Sequence, residues 1–304
     1  MGVCISVIVP VYNDPEGIGT TLRALTKQSF PRRSYEIVVC DNNSTDATQT
    51  VVQRFQHDYP DLVRLVVEDQ HQSSYAARNR GIANSTGDIL AFVDADMWMD
   101  DDWLTRVVDK MQDDSIHYLG CNVEIVPKGK SLVGRYNALF GFRVRNYLEH
   151  EHFAPTCCLV IRRTVLERVG MFDSSLSSGG DRLFGNRVYT AGIEQHFAEH
   201  ITLYHPARET LQSLTQKSLR VGRGNYQLAQ LDQPESQEVR LSLRSFLPVK
   251  PHAYSSAVSA RVPSHIAWWS AHLIFYVLAC YTKWVRTAGY LFAAVSAALA
   301  RTPA

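Results

Sequence analysis

Residues 89–103 read ILAFVDADMWMDDDW. The apolar run Ile89 to Val93 is followed at once by Asp94 and Asp96, and then by Asp100, Asp101 and Asp102. A short continuous apolar run of this kind predicts a buried strand, here over 88–93. Carboxylates crowded at the tip of a buried strand raise one another's pKa unless a positive charge lies between them. A divalent cation removes that penalty. Hard oxygen ligands suit Mg²⁺ or Mn²⁺, which also prefer phosphate oxygens. Asp94 and Asp96 therefore predict a metal–diphosphate site. Asp100, Asp101 and Asp102 have a simpler reading: acids are stabilised at the start of a helix, and one begins near Trp103.

Outward from that stretch, the chain alternates strand and helix. Ile5 to Val11 (ISVIVPV) is a β-branched run closed by Asn13-Asp14-Pro15. Residues 16–28 place Ile18, Leu22 and Leu25 on one helical face. Glu36 to Cys40 is a second strand, and Ser44 or Thr45 is placed to cap a helix running to about Tyr59. Leu62 to Val67 is a third strand, Ser73 to Ala83 a helix, and Trp103 to Met111 another. This alternation predicts an α/β fold with a doubly wound, mostly parallel sheet, which binds ligands at the carboxyl ends of its strands. DNNSTD (41–46) and DADM (94–97) both lie at such ends. Beyond 115 the pattern becomes mixed, with strands at Tyr118 to Val126 and Cys157 to Arg162. A basic amphipathic helix is expected over 207–230.

The chain has 304 residues with a formal net charge of +1, so no global field recruits nucleic acid. Six cysteines, none in a CxxC pair, read as reduced core residues of a cytosolic protein. The first residues carry no basic region ahead of their apolar run, which argues against a signal peptide.

Five stretches occur in order: SVIVPVYND (6–14), VVCDNNSTDAT (38–48), AARNRGIANSTGDILAFVDAD (76–96), GGDRLFGNR (179–187) and YHPARETL (204–211). Together they resemble the family 2 glycosyltransferases over residues 4 to about 225. The resemblance implies a GT-A fold, a Rossmann-like sheet flanked by helices, and an inverting transfer from a nucleoside diphosphate sugar. By that resemblance Asp41 accepts the imide N–H of the base, which suits uracil or thymine. Pro10 to Tyr12 border the base, and Asp14 lies near the nucleotide. Arg78 approaches the diphosphate or donor sugar, Asp94 contacts ribose or metal-bound water, and Asp96 binds the metal. His205 is the further ligand that several such enzymes use. Asp181 is the base that deprotonates the acceptor hydroxyl.

The family often has Glu-Asp where this chain has Gly180-Asp181. A glycine there allows close backbone approach and freedom in φ, but the second acid is lost. Arg187, six residues on, is expected to return to the same region and orient the acceptor or support Asp181. Arg208, Lys217, Arg220 and Arg223 either cover the diphosphate or line an anionic surface.

Three segments follow from this: a glycosyltransferase domain over 1–230, a polar Pro-containing linker or surface loop over 231–262, and an apolar helical tail over 263–304. Ile266 to Tyr281 spans only about 24 Å as a helix, short of a hydrocarbon core of about 30 Å. An interfacial helix pair with Trp268, Trp269 and Trp284 at headgroup depth fits better. The expected partners are thus a nucleotide-sugar donor, a glycan or lipid-linked acceptor and the cytoplasmic face of a membrane. Nucleotidyl transfer is disfavoured because the loop NDPEGIG (13–19) has no basic residue. A non-catalytic nucleotide-sugar-binding subunit is the other alternative.

Overall fold

A computed structural model describes residues 5–231, 240–251 and 268–301. Strands β1 (Ile5–Val11), β2 (Tyr35–Asp41), β3 (Val63–Val67) and β4 (Ile89–Phe92) form the parallel part of an eight-stranded sheet. Every residue of β1, β2 and β4 is buried, which is why they read as unbroken apolar runs rather than alternating ones. Helices α1 (Pro15–Thr26), α2 (Thr48–Asp58) and α3 (Ser74–Ala83) connect them. The remaining strands are β5 (Trp98–Met99), β6 (Tyr118–Val126), β7 (Leu159–Arg162) and β8 (Gln195–Pro206). The order is β3-β2-β1-β4-β7-β6-β8-β5, with antiparallel pairing of β4 to β7, β7 to β6 and β5 to β8. The order reverses at β1, with β2 on one side and β4 on the other. Such a reversal opens a crevice at the carboxyl ends of the strands.

The chain divides into two compact units. One comprises 1–124, 143–175 and 180–205 and holds nearly all of the sheet; it also carries α4 (Trp103–Met111), α6 (Val144–Glu151), α7 (Thr164–Val169) and α8 (Gly180–Thr190). The other comprises 125–142, 176–179 and 206–304. It holds α5 (Leu132–Phe140), α9 (Leu211–Gln230), α10 (Leu243–Phe246) and a C-terminal helix, Trp268–Arg301.

The expected pair of helices in the tail is one helix of 34 residues. Lys283 and Thr287, beyond its first apolar run, are hydrogen-bonded in place. Lys283 Nζ donates to the Arg244 and Leu247 carbonyls at 2.7 and 2.9 Å, and Thr287 Oγ1 donates to Lys283 O at 3.2 Å. The C-terminal helix crosses α9 at two glycines. A Cβ on Gly222 would collide with Arg286 O, and one on Gly289 would lie 2.5 Å from Leu219 O. The two backbones touch there, as small residues permit.

A second correction concerns the loop after β2. Ser44 and Thr45 do not cap α2, whose N-cap position is Ala47 without a side-chain bond. They hold the loop after β1 instead. Asn13 N–H donates to Ser44 Oγ at 2.9 Å, and Thr45 N–H donates to Asn13 Oδ1 at 2.8 Å. Asp46 Oδ1 accepts from Thr48 N–H at 2.9 Å. Asp102 does occupy the N-cap position of α4, but its carboxylate pairs with Arg106, 2.8 Å away, rather than with the backbone.

Candidate active site

The register fixes the address of the acidic residues. Val11 at the end of β1 lies opposite Asp41 at the end of β2. On the other flank Ile8 lies opposite Phe92, and Val93 N–H donates to Ile8 O at 3.1 Å. Asp41 and Asp94 thus leave the sheet at the same edge, on either side of β1, and Asp96 follows in the same turn. Thr21 on α1 ties that turn down by donating to Met97 O at 2.7 Å.

Asp41 is fully buried. Its Oδ1 accepts from Ser44 N–H and from Gln49 Nε2, both at 2.8 Å. Its Oδ2 is buried without a hydrogen-bond partner. A buried carboxylate oxygen with nothing to accept is costly, and a base N–H is the kind of donor that would relieve it. Pro10 is buried beneath, while Tyr12 is half exposed. Asp14 is committed locally: its Oδ1 caps α1 by accepting from Gly17 N–H at 2.8 Å, and its own N–H donates to Thr48 Oγ1 at 2.9 Å.

Arg78 is buried on α3, and its Nη2 lies 2.7 Å from Asp94 Oδ1. Asp96 Oδ1 lies 3.6 Å from His205 Nε2. The β5–β8 pairing produces that approach, because Trp98 registers with Tyr204 and their rings stack at 5.9 Å. Among the described residues no group of three or more His, Cys, Asp or Glu is gathered for a metal. The Asp96–His205 pair nevertheless fits a Mg²⁺ or Mn²⁺ site of the kind that takes one or two protein ligands and completes its shell with water and substrate phosphates.

Asp181 occupies the first turn of α8. Burial pushes its carboxyl above the ordinary range; a hydrogen bond from Arg182 N–H and the charge of Arg78 oppose that, and the charge of Asp94 adds to it. Asp181 thus feels the charges of both Arg78 and Asp94. A carboxylate whose pKa is raised is a stronger base once ionised.

Gly180 does not use freedom in φ, as its φ is not positive. It makes room: a Cβ there would lie 2.8 Å from the Tyr75 ring. Arg187 does not return to Asp181. At 3.6 residues per turn, a residue six places on points well away. Its Nη2 donates to Met171 O, and burial holds its guanidinium below its ordinary range against the charge of Asp173.

Two residues went unnoticed in the sequence. Tyr75 is buried on α3, and its hydroxyl oxygen accepts from Gly180 N–H at 2.9 Å. Phe172 stacks on Tyr75 at 6.1 Å and packs on Phe184 of α8 at 4.5 Å. Neither sits in a polar motif, so no local pattern marked them.

Comparison with known proteins gives a consistent result. The model described as Glycosyl transferase family 2 matches residues 6–170. Glycosyltransferase AglE of Haloferax volcanii is 38% identical over 263 residues, covering 83% of this chain and 84% of AglE. The solved mannosyltransferase PcManGT from Pyrobaculum calidifontis, in complex with GDP-Man and Mn²⁺, has a TM-score of 0.65 at 21% identity, covering 96% of this chain and 87% of that one. TarS 1–349 of S. aureus in complex with UDP-GlcNAc has a TM-score of 0.55 at 17% identity, covering 99% and 93%. At these identities the two structures speak for the shared fold.

Proposed function

The chain belongs to glycosyl transferase family 2 and has the GT-A fold, and on that footing we propose an inverting, metal-dependent transfer from a uridine diphosphate sugar to a hydroxyl acceptor. The base of the nucleotide stands against Pro10 and Tyr12, and its imide N–H donates to Asp41 Oδ2. Asp94, held by Arg78, faces the ribose and the donor sugar. Asp96 and His205 would hold Mg²⁺ or Mn²⁺, which when bound neutralises the charge gathering on the diphosphate. Asp181 takes the proton of the acceptor hydroxyl as that oxygen attacks the anomeric carbon. The new C–O bond forms on the face opposite the diphosphate, the old one breaks, and the configuration inverts.

The observation that carries this reading is the placement of Asp41 and Asp94 at one sheet edge, on either side of β1, with Asp94 paired to Arg78 and the Asp181 helix bonded through Gly180 N–H to Tyr75, three residues from Arg78 on α3. The ligands of the two structural neighbours, GDP-Man and UDP-GlcNAc, are both nucleoside diphosphate sugars. The test is a thermal-shift screen of nucleotide sugars with and without Mn²⁺, followed by NMR of the product's anomeric configuration. A donor that stabilises only with Mn²⁺ and yields an inverted linkage supports the reading. Retention of configuration would overturn the role of Asp181.

We also propose that the acceptor is glycan- or lipid-linked and that the enzyme works at the cytoplasmic face of a membrane, with residues 263–304 as the attachment. Among the described residues no helix is both long and apolar enough to cross a bilayer. The C-terminal helix does expose a stripe at helical spacing: Leu273, Val277, Trp284, Leu291, Val295 and Leu299. It runs about 39 Å along the helix at 1.5 Å per residue. The described residues of this unit hold thirteen lysines and arginines and a single acid, Glu209. An apolar stripe with basic flanks suits an anionic bilayer surface. Trp268 and Trp269 are in the same helix, with side chains outside the described residues. Cosedimentation with phosphatidylglycerol vesicles, but not phosphatidylcholine vesicles, is the expected result. Equal recovery in the supernatant with both would overturn the attachment.

A further inference from the structure

We infer that Tyr75 is a positioning residue for glycosyl transfer: its hydroxyl oxygen caps the helix that presents Asp181 and so fixes that carboxylate relative to the Arg78–Asp94 pair. The inference rests on Asp181 being the base.

The first N–H groups of any helix lack partners within it. At the start of α8 the donor is Gly180 N–H, and its acceptor is a side chain 105 positions away in the sequence, Tyr75 Oη at 2.9 Å. The cap is therefore supplied by α3 rather than by the residues before α8. Burial, and then the charge of Asp181, push the phenol well above its ordinary range, so it remains un-ionised.

The ring is fixed as firmly as the oxygen. It lies against the Gly180 backbone so closely that a Cβ there would be 2.8 Å from both Cε2 and Cζ. Phe172 stacks on it at 6.1 Å, and the Arg78 guanidinium stands 5.6 Å from its centroid. Tyr75 and Arg78 are three residues apart on α3, so they share one face. Arg78 holds Asp94 on the donor side, and Tyr75 holds the helix carrying Asp181. One turn of α3 thus sets the separation of the two carboxylates. Gly180, where the family often has a glutamate, leaves the space that the Tyr75 ring fills.

A displacement of about 1 Å at a reacting group costs on the order of 100-fold in rate. Tyr75→Phe is expected to lower kcat by about 10- to 100-fold. Its donor KM and its UDP affinity in the presence of Mn²⁺ stay within about twofold of wild type, because Tyr75 is buried and makes no part of the nucleotide cradle. In an Asp181→Asn background the same change alters the residual rate by less than about twofold, since Tyr75 acts through Asp181. Gly180→Ala keeps the hydroxyl and displaces the ring, and should give the same kcat-only defect; it stands in for Tyr75→Phe should that variant fail to fold. A wild-type kcat in folded Tyr75→Phe, with only a lowered Tm, would overturn the inference. So would equal losses in kcat and UDP affinity. Wild-type turnover by Asp181→Asn would instead overturn the base itself, a separate result.

Discussion

Arg78 and Asp94 form an ion pair at 2.7 Å in which the guanidinium side chain is 5% exposed and the carboxylate 37%. The cation is sealed inside and the anion faces the site. The pair is thus an internal support for a carboxylate that meets solvent and ligand. Arg78 does not itself reach out to a diphosphate in this arrangement.

That asymmetry makes the two truncations unequal. Asp94→Ala leaves a buried guanidinium without its nearest counter-charge and should destabilise the fold by about 3 kcal/mol. Arg78→Met leaves a carboxylate that water can still reach, and should cost less. Urea unfolding midpoints of the two variants check the order.

Asp41→Asn tests the nucleotide cradle with little change in shape. The amide oxygen can keep the two bonds now made by Oδ1, which places an N–H₂ group where Oδ2 stands. Two donors would then face each other across the base. UDP affinity should fall on the order of 10- to 100-fold, read by isothermal titration calorimetry, with little change in Tm.

For Asp181 the pH dependence has a definite sign. Its folded pKa is raised by burial, so the base is lost by protonation as pH falls, and the acid limb of kcat should lie above the ordinary carboxylate value of about 3.9. Stability runs the other way. A raised folded pKa means that the folded state holds the proton more tightly, and that contribution is lost as pH rises through the folded value. Asp181→Asn should therefore cost at least about 100-fold in kcat yet raise Tm at neutral pH, with the gain vanishing in acid. A pH–rate profile and paired melting curves report both.

Asp96→Ala and His205→Ala should each weaken the enhancement of UDP binding by Mn²⁺ on the order of 10- to 100-fold. Binding of uridine alone, which the metal does not touch, should be unchanged. Calorimetric titrations at several Mn²⁺ concentrations separate the two effects.

Much of the sheet was legible because buried parallel strands leave a simple mark. The runs ISVIVPV and EIVVC, and the helix Trp103–Met111, fall where their patterns place them. The acidic edge was legible too, since DNNSTD and DADM each follow a buried run and so leave the sheet at the carboxyl ends of its strands. Partnerships between distant segments left less trace. Ser44 and Thr45 had the chemistry of caps, but a loop 31 positions earlier competed for the same hydroxyl. Arg187 was misplaced by helical phase. The tail reads as two segments because Lys283 and Arg286 interrupt its apolar run, and only the fold reveals that nearby carbonyls receive Lys283. Tyr75 was silent for a different reason: an aromatic residue in the first turn of a helix is commonplace, and its significance depends on a glycine in another part of the chain.

The concentration of basic residues in the unit that holds the C-terminal helix has a consequence for handling the protein. The whole chain sums to only +1, so the remainder must carry nearly all the compensating acid. A neutral total made of two oppositely charged units favours electrostatic attraction between copies, and the attraction grows as the Debye length lengthens from about 8 Å at physiological salt to about 30 Å at 0.01 M. Such a protein salts in, clouding on dialysis into dilute buffer and clearing when salt is restored, and binds cation and anion exchangers alike near its isoelectric point.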